Sequence, residues 1–521
     1  MKLLLLLLLP MLPLLAALWM ALTSRHGNRM VGRVVIVLAL VVVAVAVLMP
    51  AMRVEHLGVL LIENTAMQLD EIGRAALLLF GGLWLAVGLL LTRMPEPGPH
   101  AAAVLVAFSG VLTLVLAEGS VLIYSGLLVT GYGLYAIMAG EPDPQWRRAG
   151  RALIVVLVIS DLLVFEVLLA SASYPGVDLK PYLVVMLMIA LILRSGLAPA
   201  HVWLPPALAA TRTPAAVLLV AVPPAAALLA GLRLLPADAE GMRIICLAIG
   251  LLGAPWAVVV GLSQRSGRAT LGYAVLASAS VLLLALPASI AAGQGLAWLI
   301  LAMMTTAASV PVIALLHADR MRLLALTIMA VIHALAAIHT SQLATTALPG
   351  WAGWLAPLVA ISATALLILA GLRSSNDHLR EEPESDLWPI AILGVLGCTG
   401  LGFAWTMQAP TLAAFLMAPA GLAAGLILYR LLPGKQAPLI APGDWLGLIE
   451  RFGSLVGDRV EIVCSQWLPR WRDQFQTNLA GLWRGEFWSN WIERIDLRLQ
   501  IWSATSVLLL ATALGAAYLL M

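Results

Sequence analysis

The stretch RSGLAPAHVWLPPALAATRTP, residues 194–214, decides how this chain folds. It carries Pro199, Pro205, Pro206 and Pro214 in a passage between two long apolar runs. Because proline removes a backbone donor and breaks helices, this passage predicts an interrupted or re-entrant connection. Broken helices are tolerated at membrane depth where they line a cavity or are covered by protein.

The composition of the whole chain places this passage in a membrane. Of the 521 residues, 62% are hydrophobic and 11% are charged, against about 45–50% and about 25% in an ordinary soluble domain. Too few charged side chains remain to cover a water-facing surface. A soluble enzyme, a nucleic-acid-binding protein and a disordered protein are therefore excluded, and the chain is expected to contact the lipid bilayer.

Long apolar runs alternate with short loops and predict an all-α polytopic membrane protein with about 16 transmembrane helices, some of them broken. An open sheet is excluded because it leaves backbone groups unsatisfied in lipid. The predicted spans are residues 3–22, 31–50, 72–92, 101–117, 120–139, 152–172, 182–198, 214–232, 243–262, 269–288, 293–316, 323–342, 352–372, 389–408, 411–431 and 500–520.

Arginine and lysine in the short loops predict the orientation of these spans. Basic residues cluster in alternate loops, from Arg25 near the start to Lys435, and that side is expected to face the cytoplasm. With an even number of spans, both termini then lie on the non-cytoplasmic side of the cell inner membrane. Arg233 and Arg243 are the main exceptions to the pattern.

The segment 433–499 differs from the rest of the chain because charged residues are dense from about Asp444 to Arg498 and alternate with tryptophan. Tryptophan with arginine is typical of an amphipathic helix that lies at the membrane interface. The segment predicts a lateral helix on the cytoplasmic side, which the span in 500–521 anchors. A small cytoplasmic loop domain is the alternative interpretation.

Ionisable side chains inside spans are costly and are functional candidates by default. The candidates for an ion path are Glu118, Asp161, Glu166, Arg194 and His201. Asp161 and Glu166 lie five residues apart, so they point about 140° apart and cannot both face one narrow channel. An internal ion pair with Arg194 and a part in a proton path both stay open for Asp161. Glu118 also fits the outer headgroup level.

Metal and cofactor chemistry have no support in the sequence. Cys246, Cys398 and Cys464 lie far apart, without a CxxC motif or a His/Cys cluster, so no metal site is predicted. No nucleotide or flavin fingerprint appears, and neither a cofactor nor a catalytic site is expected in this chain. His333 and His339, in a later span, fit a structural role better than an ion path.

The passage 194–214 resembles a known family, the antiporter-like subunits of respiratory complex I. The same family includes membrane subunits of energy-converting hydrogenases and formate hydrogenlyases, Mrp-type cation/proton antiporters, and the membrane partner in some inorganic-carbon uptake complexes. Its seventh helix typically reads Gly-Lys-Ser-Ala, then Pro, Trp-Leu-Pro-x-Ala and Thr-Pro. The matching positions are Arg194-Ser195, Pro199, Trp203-Leu204-Pro205, Ala207 and Thr213-Pro214, with a second similar segment at Leu271–Ala274 and Leu282–Leu286.

The resemblance also implies a membrane-embedded proton relay, and this chain departs from it. Family members carry a Glu in the fifth helix, a Lys in the seventh, a His in the eighth, and a Lys or Glu in the twelfth. These positions align with Ser125, Arg194, Val220 and the stretch Met304–Val310. Arginine stays charged and is a poor proton donor. Of the family's ionisable groups, only Asp161 in the sixth helix survives beside Arg194.

No shift of that alignment restores the relay, because no lysine occurs between Lys180 and Lys435. The resemblance then implies a divergent membrane subunit of a complex I-like assembly, which is NADH-quinone oxidoreductase-like or hydrogenase-like. This subunit keeps the antiporter fold, has largely lost the relay, and serves as a scaffold, coupling and partner-docking subunit. Its expected partners are other membrane subunits and a soluble cytoplasmic protein, either a redox module or a carbonic-anhydrase-like zinc protein.

Two other functions stay open. One is an active proton- or cation-translocating subunit, redox-driven or energising inorganic-carbon uptake, that uses Asp161 and Arg194. The other is a stand-alone secondary transporter whose substrate site lies at the broken helix. The resemblance divides the chain into N-terminal transmembrane helices at 1–117, an antiporter-like core at 118–432, the lateral segment at 433–499 and the anchor at 500–521.

Overall fold

A computed structural model of the chain consists almost wholly of helices. It describes residues 2–23, 27–54, 66–93, 101–139, 144–173, 179–198, 200–210, 213–236, 240–264, 266–292, 319–347, 350–373 and 412–431. The helices are α1 (Lys2–Thr23), α2 (Asn28–Leu48), α3 (Glu71–Arg93), α4 (Ala101–Leu116), α5 (Ser120–Ala139), α6 (Pro144–Ser173), α7 (Pro181–Ser195), α8 (Leu204–Ala210), α9 (Thr213–Leu234), α10 (Glu240–Ser263), α11 (Gly267–Ala292), α12 (Asp319–Ala347), α13 (Gly350–Arg373) and α14 (Leu412–Leu431). A 3-10 helix, Ala200–Trp203, lies between α7 and α8.

Apolar helices confirm that the chain is an all-α polytopic membrane protein. Within the described ranges, ten helices are long and apolar enough to cross a membrane, and three shorter apolar helices accompany them. Each of these coincides with a predicted span. The predicted segments that lie outside the described residues are the spans 293–316, 389–408 and 500–520 and the lateral segment 433–499.

The chain divides into two compact units, Met1–Leu446 and Gly447–Met521. All of the described residues belong to the first unit. The four-part division predicted from the sequence stays a prediction, as do the orientation of the termini and the amphipathic character of the lateral segment.

Helix α11 lies at the centre of the described core. Its membrane-spanning part is buried along its whole length, and it packs against α8, α9, α10, α12 and α13. Residues from Leu271 to Leu286 are apolar or small on every side of the helix. A helix that is apolar all round is stable only when other helices surround it, which explains why α11 is the most enclosed of the spans.

Helices α4 and α5 approach each other closely because glycine lies at their contact. A Cβ atom on Gly126 would lie 2.6 Å from the backbone nitrogen of Leu114, and one on Gly133 would lie 2.6 Å from that of Ala107. Small residues let membrane helices pack backbone against backbone, where dispersion replaces the hydrophobic effect that lipid does not supply. The position of α5 therefore depends on these glycines.

A short antiparallel hairpin follows α2, and the sequence did not predict it. Strand β1 (Met52–Val54) pairs with β2 (Met67–Leu69), with Met52 opposite Leu69. Met67 also forms an isolated bridge with Ala117 just after α4. The hairpin thus ties the segment between α2 and α3 to the end of α4.

The close packing of α4 on α5 gives a stability prediction. We expect Gly126→Ala to lower the thermal unfolding midpoint in detergent by a few degrees, because overpacking a tight contact costs about 1–3 kcal/mol. Gly150→Ala is the matched control, since its Cβ would meet Met138 at an ordinary 3.6 Å. Equal midpoints for the two variants would contradict the close contact.

Candidate functional site

A buried ion pair joins α6 and α7 inside the membrane core. Arg194 Nη2 contacts Asp161 Oδ1, and the two side chains are 4% and 7% exposed. The other terminal nitrogen of Arg194, Nη1, donates to the backbone oxygen of Leu127 in α5 at 2.6 Å. One guanidinium therefore binds a carboxylate and a backbone carbonyl on two different neighbouring helices.

The guanidinium has room in this place because residue 131 is glycine. A Cβ atom on Gly131 would lie 2.8 Å from Arg194 Nη1 and 2.9 Å from Leu157 Cδ2. Any larger side chain at this point of α5 would displace the guanidinium from Leu127. The space for the guanidinium therefore depends on a glycine of α5 as well as on the position of Arg194 in α7.

The end of α7 positions the arginine. The helix ends at Ser195, and Gly196 follows with a left-handed φ of 70°, which glycine adopts without strain. The backbone N–H of Leu197 donates to the oxygen of Ile192 at 3.3 Å. A positive charge in the last turn of a helix is favoured by the helix dipole, so Arg194 suits this place electrostatically.

Aromatic side chains from α5 and α6 border the pair. The hydroxyl of Tyr132 lies close to the Asp161 carboxylate. The ring of Tyr124 packs on that of Phe165, with centroids 6.1 Å apart. Ser160, the residue before Asp161, donates to the backbone oxygen of Ala190 at 2.9 Å. The α5–α6–α7 junction is thus held by polar contacts as well as by apolar packing.

The predicted break in the helix is present after α7. The 3-10 helix leads into α8, where Pro205 and Pro206 occupy the first turn, a place that needs no backbone donor. Helix α11 covers this break, because a Cβ atom on Gly272 would lie 2.7 Å from Pro205 Cα. Pro214 is the second residue of α9, and Pro199 lies outside the described residues.

His201 lies in the 3-10 helix and is fully buried. Its ring meets the ring of Tyr273 on α11 edge to face, with centroids 6.1 Å apart. The break in the chain therefore brings a titratable ring against α11. This contact is different from the one that Arg194 makes with α5 and α6.

The structure does not gather the remaining candidates around the ion pair. Glu118 follows α4 and accepts a hydrogen bond from Arg53 Nε of the hairpin at 2.7 Å. Glu166 is exposed, whereas Asp161 on the same helix is buried. Of the five candidates, Asp161 and Arg194 thus form a direct pair, while Glu118 binds the hairpin and Glu166 points outward.

Two positions that align with relay residues of the family hold uncharged side chains, and neither leaves a buried polar group without a hydrogen bond. Ser125 donates to the backbone oxygen of Val121 in its own helix at 2.9 Å. Val220 is fully buried in α9. The stretch Met304–Val310 lies outside the described residues.

A narrow apolar cleft lies beside the end of α7, between α7, α9 and α11. Its lining side chains include Met188, Leu191, Pro224, Leu228 and Leu283. Ser195 also borders the cleft, but its hydroxyl donates to the backbone oxygen of Ile192 at 3.0 Å. Cavities with apolar walls stay dry, so the cleft provides no polar path.

Arg233 has a role that sequence analysis missed, although it stood out as an exception to the charge pattern. At the end of α9 it donates to the backbone oxygens of Ala117 at 2.5 Å and Val115 at 2.9 Å. It also contacts Asp70 Oδ1 at 3.3 Å. The side chain satisfies carbonyl groups at the end of α4, which have no partner within their own helix.

Arg373 binds backbone carbonyl groups at the end of α10. From the end of α13 it donates to the backbone oxygens of Gln264 at 2.5 Å and Leu262 at 2.9 Å. No local sequence signal reveals this contact, because the partner lies more than a hundred residues away. These arginines are structural groups that fix helix ends.

His333 lies at the contact of three helices. Its Nε2 is 3.0 Å from Ser278 Oγ of α11, and its Nδ1 is 3.0 Å from Thr364 Oγ1 of α13. Both ring nitrogens therefore have partners. Among the described residues, no group of three or more His, Cys, Asp or Glu side chains could hold a metal ion.

Part of the chain is similar to a known family of membrane subunits. The family described as "NADH:quinone oxidoreductase/Mrp antiporter, TM" matches residues 151–371, a segment that contains Asp161, Arg194 and the broken helix. Over these residues the chain is similar to that family. The match confirms the family that the sequence resembled. No curated protein shows significant similarity to the chain.

Solved structures share the antiporter-like fold. A chain of the Mrp complex from Dietzia sp. DQ12-45-1b has a TM-score of 0.68 and 16% identity, over 88% of this chain and 60% of its own. A chain of respiratory complex I from Thermus thermophilus with bound aureothin has a TM-score of 0.51 and 19% identity, over 82% of this chain and 98% of its own. The present chain thus spans about 60% of the Mrp chain.

The buried pair gives a prediction about stability. Asp161→Leu or Arg194→Met alone leaves one unpaired buried charge, so each should destabilise the protein by about 3–5 kcal/mol. The double variant removes both charges and should recover most of that loss. The measurement is a double-mutant cycle on thermal unfolding in detergent, and additive single effects would contradict the pair.

Proposed function

We propose that this chain is a scaffold and coupling subunit of a complex I-like or Mrp-like membrane assembly, in which the usual proton relay is largely replaced by a fixed ion pair. The observation that carries the proposal is the buried contact between Arg194 and Asp161. It occupies the place where the family carries a lysine. The described fold supports a membrane-embedded role, because its helices are long and apolar enough to span a bilayer.

A relay group must bind a proton in one step and release it in the next. Arginine does not deprotonate in proteins, and here its two terminal nitrogens already bind Leu127 and Asp161. The Asp161 carboxylate in turn lies against this permanent cation. The pair therefore suits a permanent electrostatic link between helices better than a step in proton transfer.

The surroundings of the pair support the same interpretation. Ser125 and Val220, which align with a Glu and a His of the family, carry no titratable group. The cleft next to Ser195 is walled by apolar side chains. A proton path needs a chain of ionisable groups or water. Ser125 and Val220 supply no ionisable group, and the apolar walls of the cleft do not favour water.

The proposed partners follow from the family. The similar chains come from a structure of the Mrp complex and from respiratory complex I, so we propose that this chain also assembles with other membrane subunits. We further propose a soluble cytoplasmic partner, with the lateral segment 433–499 lying across neighbouring subunits. In this proposal the assembly lies in the cell inner membrane and both termini are non-cytoplasmic.

One observation favours active translocation as a second candidate function. The hydroxyl of Tyr132 lies close to Asp161, and His201 is buried in the broken helix that follows Arg194. Tyr132 provides a titratable group beside the pair, and His201 provides one in the segment that follows Arg194. A path that uses them would make Asp161 and Arg194 essential for ion movement.

Transport by the native complex distinguishes the two functions. We expect complexes that carry the double substitution Asp161→Asn and Arg194→Gln to assemble and to move protons or cations as the unaltered complex does. The two amides are polar and remove both charges together, so no unpaired charge is left buried. The measurement is ion flux in proteoliposomes, with subunit composition determined on the same sample. An intact complex that has lost its flux would contradict the scaffold role.

A further inference from the structure

The outward face of α6 combines apolar side chains with one carboxylate. Its exposed large apolar residues are Val155, Val158, Ile159, Leu162, Phe165 and Leu169. Glu166 is also exposed and lies between Phe165 and Leu169 in the sequence. We call this surface the α6 outer face. It points away from the side of the helix that carries Asp161.

Glu166 lies at hydrocarbon depth. The spanning part of α6 is Trp146–Ser171, 26 residues long, so Glu166 is about 11 Å from its midpoint at about 1.5 Å per residue. Half of the hydrocarbon core is about 15 Å thick. A carboxylate at this depth is costly in lipid and normally faces a partner group or a water-filled cavity.

We infer that the α6 outer face docks a transmembrane helix of a neighbouring subunit, and that this helix presents a basic side chain to Glu166. The inference rests on the proposed function, in which the chain is one subunit of a membrane assembly. Leu162 and Phe165, 64% and 48% exposed, lie next to Glu166 and supply apolar contact area for such a helix. The Glu166 carboxylate would select a helix that carries a basic side chain at the matching depth.

The predicted spans that lie outside the described residues offer no cation for this face. The predicted spans 293–316, 389–408 and 500–520 contain no Lys, Arg or His. The buried Arg194 already pairs with Asp161 on the opposite side of α6. The lateral segment 433–499 is rich in arginine but is predicted on the cytoplasmic side, with Arg147, whereas Glu166 lies in the other half of the membrane. We expect the basic group from one of the other membrane subunits of the proposed assembly.

Lipid is the competing occupant of the same face. Large apolar side chains suit acyl chains as well as a helix, so exposure alone does not decide between them. The charge favours a protein partner, because a Glu in lipid would have to be protonated to avoid the cost of a bare carboxylate. The protonation state of Glu166 in the native complex therefore separates the two occupants.

The first experiment measures that state on the complex purified in mild detergent. Dicyclohexylcarbodiimide reacts with protonated carboxyl groups in apolar surroundings, and mass spectrometry locates the adduct. We expect Glu166 to be protected in the complex and labelled after the subunits are dissociated. Glu166→Gln is the control for the site of labelling. Equal labelling of Glu166 in both samples would place it in lipid and overturn the inference.

The second experiment identifies the occupant. A photoreactive amino acid at Leu162 should cross-link to a spanning helix of another subunit, within about one helical turn of a Lys, Arg or His. The same probe at Leu252, which is 74% exposed on α10, is the matched control for a face without a carboxylate. We also expect Glu166→Arg to lose most of the Leu162 cross-link. A cross-link at Leu162 only to lipid, to this chain, or to a helix without a basic residue would contradict the inference.

The two proposals fail in different ways. If the purified chain has no other subunits, the proposed function fails and the inference falls with it. If the complex is intact but Leu162 cross-links only to lipid, the proposed function stands and the docking inference alone is wrong.

Discussion

The junction of α5, α6 and α7 depends on one buried guanidinium. Burying two charges is costly, and the mutual attraction compensates for it only when the geometry is good and the remaining donors are satisfied. Arg194 meets that condition with its two terminal nitrogens, which bind Asp161 and the backbone oxygen of Leu127, whereas its Nε has no hydrogen-bond partner among the described residues. Lysine would offer a point charge that can lose its proton, whereas arginine offers several fixed donors and a permanent charge. Gly131 provides the space, and the turn at Gly196 ends α7 just beyond the arginine.

The fold and the relay of this family are physically separable. The fold rests on apolar helices around α11 and on a broken helix that α11 covers at Gly272. Neither feature needs a titratable side chain. Under the proposed function Ser125 and Val220 stand in for relay groups, and the core accommodates them: Ser125 donates within its own helix and Val220 is buried among apolar side chains. Function within such a fold belongs to the specific site and not to the fold itself.

Much of this could be predicted from the sequence, because membrane helices are apolar over a fixed length and proline marks a break. The spans and the break at Pro205 follow from such local signals, and so does the placement of Asp161 and Glu166 on different sides of one helix. The β hairpin could not be predicted, since its strands of three residues are too short to show a pattern. Arg373 binds carbonyls over a hundred residues away, and that contact depends on helix packing, which periodicity does not encode. Arg233 gave only an indirect signal, as a charge on the unexpected side.

The charge state of Asp161 during turnover tests the central claim most directly. Infrared difference spectra of the energised and resting complex, compared with those of an Asp161→Asn variant, would report whether this carboxylate gains or loses a proton. We expect no signal from Asp161, because a fixed ion pair with Arg194 exchanges no proton during turnover. A protonated-carboxyl band that appears with turnover and disappears in the variant would show that Asp161 carries protons, and it would contradict a fixed ion pair.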